Sequence, residues 1–286
     1  MPRILIAGCG YVGEAAADLF HAHGWKVEGW TASQESARNL AEKPYPVRAM
    51  DIADAAACSA AGGEFNVLLQ CASSGGGDAD KYRRVYFYGA ENLVRAFPTA
   101  SLLFTSSTSV YAQKDGEIVD ETSPANPSHE KGQILRRTED LVFAHGGIVA
   151  RLGGIYGPAR SFLLRKFLAG EAVLDPLDVH FINQAHRDDI VSALFLLAQK
   201  RAELRGEIYN VVDNQPVLLR EVYEWLSAHL GRPLPPTAKA PAVRKRGDSN
   251  KRVSNEKLRA LGWEPRYPTF HIAMSESVLP SFVLES

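Results

Sequence analysis

A short apolar run, Ile4-Leu-Ile-Ala7, leads directly into Gly8-Cys-Gly-Tyr-Val-Gly13, after which Val12, Ala15, Ala16, Leu19 and Phe20 recur at helical spacing as far as Gly24. This order of strand, glycine turn and helix constrains the chain more than any other feature, because each glycine answers a separate physical demand. Gly8 permits a tight turn, Gly10 lets bare backbone approach a ligand, and Gly13 lets helix and strand pack closely. The first N–H groups of a helix lack intrahelical acceptors and carry the positive end of its dipole, so the turn predicts a cradle for a diphosphate. Gly8, Gly10, Tyr11, Val12 and Gly13 are therefore the expected contacts of a nicotinamide dinucleotide, NAD or NADP.

Further apolar runs, Lys26–Trp30, Val47–Met50, Val67–Cys71, Leu102–Thr105 and Ile148–Arg151, alternate with longer helical patterns. Short runs of this kind, largely apolar, suit strands buried on both faces, so the alternation predicts an α/β chain with a doubly wound parallel sheet of the Rossmann type. Helices are expected over about 80–97 and 132–144, ended by Pro98 and by Gly146-Gly147. After Pro158 the pattern becomes irregular, with helical segments at 161–169, 187–200 and 218–230. The expected division is a dinucleotide-binding domain over residues 1–155 and a smaller substrate lobe over 156–286, which 286 residues at 45% hydrophobic content can supply with cores.

Lys+Arg 32 against Asp+Glu 33 leaves a net charge of -1 without a long run of one sign, which argues against a broad nucleic-acid or membrane face and for a small-molecule partner. The basic stretch Arg244-Lys-Arg246 with Lys251 and Arg252 reads as a solvated loop. Cys9, Cys58 and Cys71 have neither disulfide nor zinc spacing. No apolar run approaches the ~20 residues of a membrane span, and the start of the chain has no signal-peptide core. A cytoplasmic location is expected.

At the end of the second run, where a carboxylate would bind the ribose 2′-hydroxyl and favour NAD, the chain reads Gly29-Trp-Thr-Ala-Ser33. Thr31 and Ser33, with Arg38 beyond them, leave room for a 2′-phosphate and tilt the expectation towards NADP. Asp51-Ile52, after the third run, either touches the adenine edge or caps a helix.

Thr105-Ser-Ser-Thr-Ser-Val-Tyr111, Arg151-Leu-Gly-Gly-Ile-Tyr-Gly-Pro158, Ile182-Asn-Gln-Ala-His-Arg-Asp-Asp189, Tyr209-Asn-Val-Val-Asp213 and Leu258-Arg-Ala-Leu-Gly-Trp263 complete a resemblance to the extended short-chain dehydrogenase/reductases. The chain resembles in particular their NAD-dependent epimerase/dehydratase group, over nearly its whole length. The resemblance implies that 181–212 rejoins the sheet, that Ser107 donates a hydrogen bond to the reacting oxygen, and that the chain forms a homodimer. It also exposes a departure. Counting from Glu139, which fits that group's helix glutamate, the acid/base tyrosine is replaced by Lys131 and its lysine by Leu135, while the preceding helix carries Tyr86 for an asparagine. No tyrosine lies between Tyr111 and Tyr156. Ser107 and Lys131 are thus the expected catalytic residues, Lys131 as a substitute acid/base in a partly dry pocket, with Tyr111 or a substrate group as other routes for the proton. The expected activity is NAD(P)-dependent oxidoreduction or epimerisation of a small polar compound such as a nucleotide-sugar. The other reading is a non-enzymatic NAD(P)-binding sensor.

Overall fold

The computed structural model describes residues 1–176, 179–238 and 249–282; Arg244, Lys245 and Arg246 lie outside the described residues. Seven strands form a parallel sheet in the order Ile208–Val211, Ile148–Leu152, Ser101–Ser107, Val67–Gln70, Arg3–Ala7, Lys26–Thr31 and Val47–Ala49. Arg3–Ala7 pairs in parallel with Lys26–Thr31 on one side and Val67–Gln70 on the other. The chain winds outwards from Arg3–Ala7 to one edge and then returns to build the other, so the direction of winding reverses between Arg3–Ala7 and Val67–Gln70. A crevice opens at the carboxyl ends of strands at such a point. The central strands are apolar because both faces are covered: Ile4, Leu5, Ile6, Ala7, Leu68 and Leu69 are fully buried.

The chain divides into two compact units. The first comprises residues 1–110, 126–151 and 191–209 and carries the sheet, although the last residues of two strands, Leu152 and Asn210-Val211, fall beyond its limits. The second comprises 111–125, 152–190 and 210 onwards. Residues 111–125 thus leave the stretch expected as one domain, and within 181–212 only 191–209 belong to the first unit.

In the first unit the expected helix after the fourth strand is interrupted. It runs as α-helix over Ala79–Tyr82, π-helix over Arg83–Tyr88 and α-helix over Gly89–Ala96. The helix Glu130–Ala144 packs against both Arg83–Tyr88 and the strand Ser101–Ser107. Its N-cap is His129, whose Nδ1 accepts from Gly132 N at 2.9 Å. Three elements are tied together by Glu139. Its Oε1 accepts from Ser106 Oγ at 2.7 Å and Arg151 Nε at 2.9 Å, and its Oε2 from Arg151 at 2.6 Å and Arg136 at 3.2 Å.

The second unit has its own core, in which Tyr156, Leu164, Phe167, Tyr223, Leu226, Phe270 and Met274 are buried, with Phe167 and Tyr223 stacked at 6.1 Å. Part of the stretch read as a loop is a strand: Lys251–Val253 pairs in parallel with Glu117–Val119. Lys251 is buried there, donating to Tyr111 O and Ser249 Oγ, both at 3.0 Å. Burial pushes its pKa down to about 8. The unfolded chain, with the ordinary lysine value, holds this proton more tightly, so the contribution of Lys251 to stability is complete above about pH 10.4 and is lost as pH falls through about 8. Lys251→Met is expected to remove this rise, worth up to about 3 kcal/mol, which urea midpoints at pH 8 and pH 10 would measure. Equal slopes in both proteins would contradict the assignment.

Among the described residues no helix is long and apolar enough to cross a membrane.

Candidate functional site

The glycine turn is built by steric exclusion. Gly8 has φ +107°, and a Cβ there would lie 2.2 Å from Ala72 N. A Cβ on Gly13 would lie 2.2 Å from Gly8 O and 2.9 Å from Cys71 Sγ. Gly8 N and Cys9 N both donate to Trp30 O, at 3.0 and 2.7 Å, fastening the turn to the neighbouring strand. Gly10 is different: a Cβ there meets nothing within 4 Å. Gly10 is also the N-cap of the helix Tyr11–Ala22 and offers no side-chain cap to its first turn. Within the helix Val12 and Gly13 have no acceptor for their N–H groups. A sterically locked turn with open backbone at the helix start fits a dinucleotide diphosphate.

The thiols below the turn are not reactive centres. Burial, reinforced by Glu14 and Asp18, pushes Cys9 up to about 12, and burial raises Cys71 further still.

At the end of the second strand, Thr31 is buried and its Oγ1 donates to Ser33 O at 3.1 Å, while Ser33 Oγ accepts from Ser36 N at 3.2 Å as the N-cap of Gln34–Asn39. Asp51 is not a helix cap; that role falls to Asp54, which accepts from Ala57 N. Asp51 instead accepts from Ala53 N and pairs with Arg84 at 3.0 Å. Ile52 is buried beneath Gly89, and its carbonyl accepts from Asn92 Nδ2 at 2.9 Å.

At the other end, Ser107 closes the strand Ser101–Ser107 and its Oγ accepts from Ser109 N at 3.2 Å. The hydroxyl proton remains available to a ligand. Lys131, near the start of Glu130–Ala144, donates to Gly77 O at 2.6 Å and lies 5.2 Å from the ring centroid of Tyr82. Leu135 is buried in the core one turn later. Tyr111 belongs to the second unit, where it is fully buried and donates to Asn210 Oδ1 at 3.0 Å, which removes it as a proton carrier.

Residues 4–211 match the NAD dependent epimerase/dehydratase family. The chain belongs to that family. Protein YeeZ of Escherichia coli K12 is 32% identical, with 94% of this chain and 97% of that one aligned. The fold is shared with a dTDP-glucose 4,6-dehydratase from Bacillus anthracis solved with NAD, at a TM-score of 0.80, 21% identity, and 98% and 96% of the two chains covered. A UDP-glucose 4-epimerase from Thermotoga maritima solved with UDP-glucose gives the same TM-score at 18% identity, covering 96% of each chain.

The helix Glu130–Ala144 holds the two positions, 131 and 135, at which the sequence comparison expects a departure from the epimerase/dehydratase family. Lys131, Leu135 and Glu139 lie at i, i+4 and i+8 and so share one face. On that face only Lys131 stands at the helix start; Leu135 packs in the core, and Glu139 is spent on Ser106 and Arg151. Sequence reasoning missed Ser106 and Arg151 as the partners of Glu139, and Gln70 as a clamp on the π-helix. The only signal of the Glu139 network was a pair of charged residues, Glu139 and Arg151, in otherwise apolar surroundings, where charges stay only when paired.

Proposed function

We propose that this epimerase/dehydratase family member binds NAD or NADP, with a lean towards NADP, and uses it to oxidise and reduce a small polar substrate of the nucleotide-sugar or related carbonyl class. The bare backbone at Gly10, flanked by two glycines that no other residue can replace without collision, is the observation that carries this reading. The turn and the first amides of Tyr11–Ala22 bind the diphosphate, and Thr31, Ser33, Asp51 and Ile52 line the adenosine side. With no carboxylate at Thr31–Ser33, a 2′-phosphate meets no repulsion there. The nicotinamide, when bound, supplies a hydride acceptor and donor. Ser107 donates a hydrogen bond to the substrate oxygen as its charge grows, and Lys131 is the cation at the same end. The three free cysteines fit a cytoplasmic protein.

Reduced-nicotinamide absorbance with UDP-glucose and dTDP-glucose as probes tests the chemistry. Ser107→Ala is expected to lower turnover by about 10²–10³-fold with cofactor affinity unchanged. Tight cofactor binding with no hydride transfer to either probe would favour the second reading, a cofactor-bound protein without chemistry. Leu135 in the core, where the family's enzymes resembled above keep a lysine, supports that alternative.

A further inference from the structure

On the face of the helix Glu130–Ala144 shared by positions 131, 135 and 139, Lys131 stands at the helix start, and its ammonium is already engaged by Gly77 O and the Tyr82 ring. We propose that Tyr86 carries the proton that must accompany hydride transfer, with Lys131 as its cationic partner across the ring of Tyr82; this rests on the hydride-transfer reading above. Four features converge on Tyr86.

The segment Arg83–Tyr88 is π-helical, and such insertions widen a turn and recur at functional sites. Gln70, at the end of the fourth strand, holds the widened turn open by donating from Nε2 to Val85 O and Tyr86 O, each at 3.1 Å. Two residues after Gln70, Ala72 abuts Gly8, so the clamp springs from the strand end that also walls the glycine turn. The Tyr86 ring lies 4.9 Å from that of Tyr82 and 6.4 Å from that of Phe104, a residue of the strand that ends at Ser107.

The remaining feature is the state of the hydroxyl. Tyr45 donates to Asp18 at 2.6 Å, whereas the hydroxyl of the half-buried Tyr86 has no hydrogen bond among the described residues. A phenol whose hydroxyl is left without a protein partner is suited to take up a ligand's oxygen. In the reducing direction the carbonyl carbon of the substrate gains a hydride from the reduced nicotinamide and its oxygen gains the Tyr86 proton. The phenolate then recovers a proton from water, and the oxidising direction reverses each transfer. The Tyr82 ring contacts both groups, at 5.2 Å from Lys131 Nζ and 4.9 Å from the Tyr86 ring.

Nitration by tetranitromethane, mapped by peptide mass, reads the position of Tyr86 without reference to turnover. NADPH or NADH at saturation is expected to slow nitration of Tyr86 by about tenfold or more, while AMP, which fills only the adenosine side, leaves it unchanged. Tyr88, 42% exposed, serves as the internal control. In the probe assay Tyr86→Phe is expected to lower turnover by about 10²–10⁴-fold at unchanged cofactor affinity. Lys131→Met is expected to lose roughly tenfold. Absence of protection by the full cofactors, equal protection by AMP, or full turnover in Tyr86→Phe would overturn the assignment. A melting temperature that no nicotinamide nucleotide moves would instead defeat the cofactor reading itself.

Discussion

Arg151→Met is expected to destabilise the first unit by about 3–5 kcal/mol, because it strands a fully buried carboxylate. Glu139 has no exposed surface and receives two of its four hydrogen bonds from Arg151; Ser106 and Arg136 would remain. Against a total stability of about 5–15 kcal/mol the loss is severe, and a melting temperature lower by on the order of 10 °C is the measurable result. Removing both charges together should cost less than removing one, since a buried pair gains little over apolar residues of similar volume while a lone buried charge is penalised heavily. The double variant Glu139→Leu, Arg151→Met is therefore expected to melt above Arg151→Met. A loss under about 1 kcal/mol in Arg151→Met would mean that water reaches Glu139.

Gly10→Ala is expected to have the opposite profile, an unchanged fold and an abolished ligand site. Its methyl group meets no protein atom within 4 Å, so the melting temperature of the free protein should stay within the range of a neutral surface change, about ±0.5 kcal/mol. The same methyl group occupies the space into which the diphosphate must come, so cofactor affinity is expected to fall by at least 100-fold, and with it the about 2.7 kcal/mol that a ligand at 100 times its Kd contributes. Gly13→Ala is the matched control, since its methyl group would lie 2.2 Å from Gly8 O and must disturb the fold itself. A Gly10→Ala protein that binds as tightly as the parent would remove the diphosphate from this turn.

The sheet was legible because strands covered on both faces are largely apolar, and the six runs from Ile4–Ala7 to Ile148–Arg151 each became a strand. The seventh, Ile208–Val211, carries Tyr209 and Asn210 in its middle and was visible only through the family resemblance. Glu117–Val119 and Lys251–Val253 are too short to show a period, and Lys251 is a charged residue that only its hydrogen bonds to Tyr111 and Ser249 allow inside. The glycine turn could be read because its demands are local. The partners of the other site residues could not, because they come from distant parts of the chain. Asp51 pairs with Arg84, 33 positions on, and Lys131 reaches Gly77, 54 positions back. The π-helix is hidden for the same reason: Arg83–Tyr88 reads as continuous helix, and its widened turn depends on the amide of Gln70.

The central claim, that this family member has a working dinucleotide site, is tested most directly by the melting temperature of the cofactor-stripped protein with NAD, NADH, NADP and NADPH in turn. The account predicts a rise with at least one oxidised and reduced pair, corresponding to about 2.7 kcal/mol at 100 times Kd, larger for the phosphorylated pair and absent in Gly10→Ala. No rise with any of the four would contradict it, and would leave the glycine turn as a structural element alone.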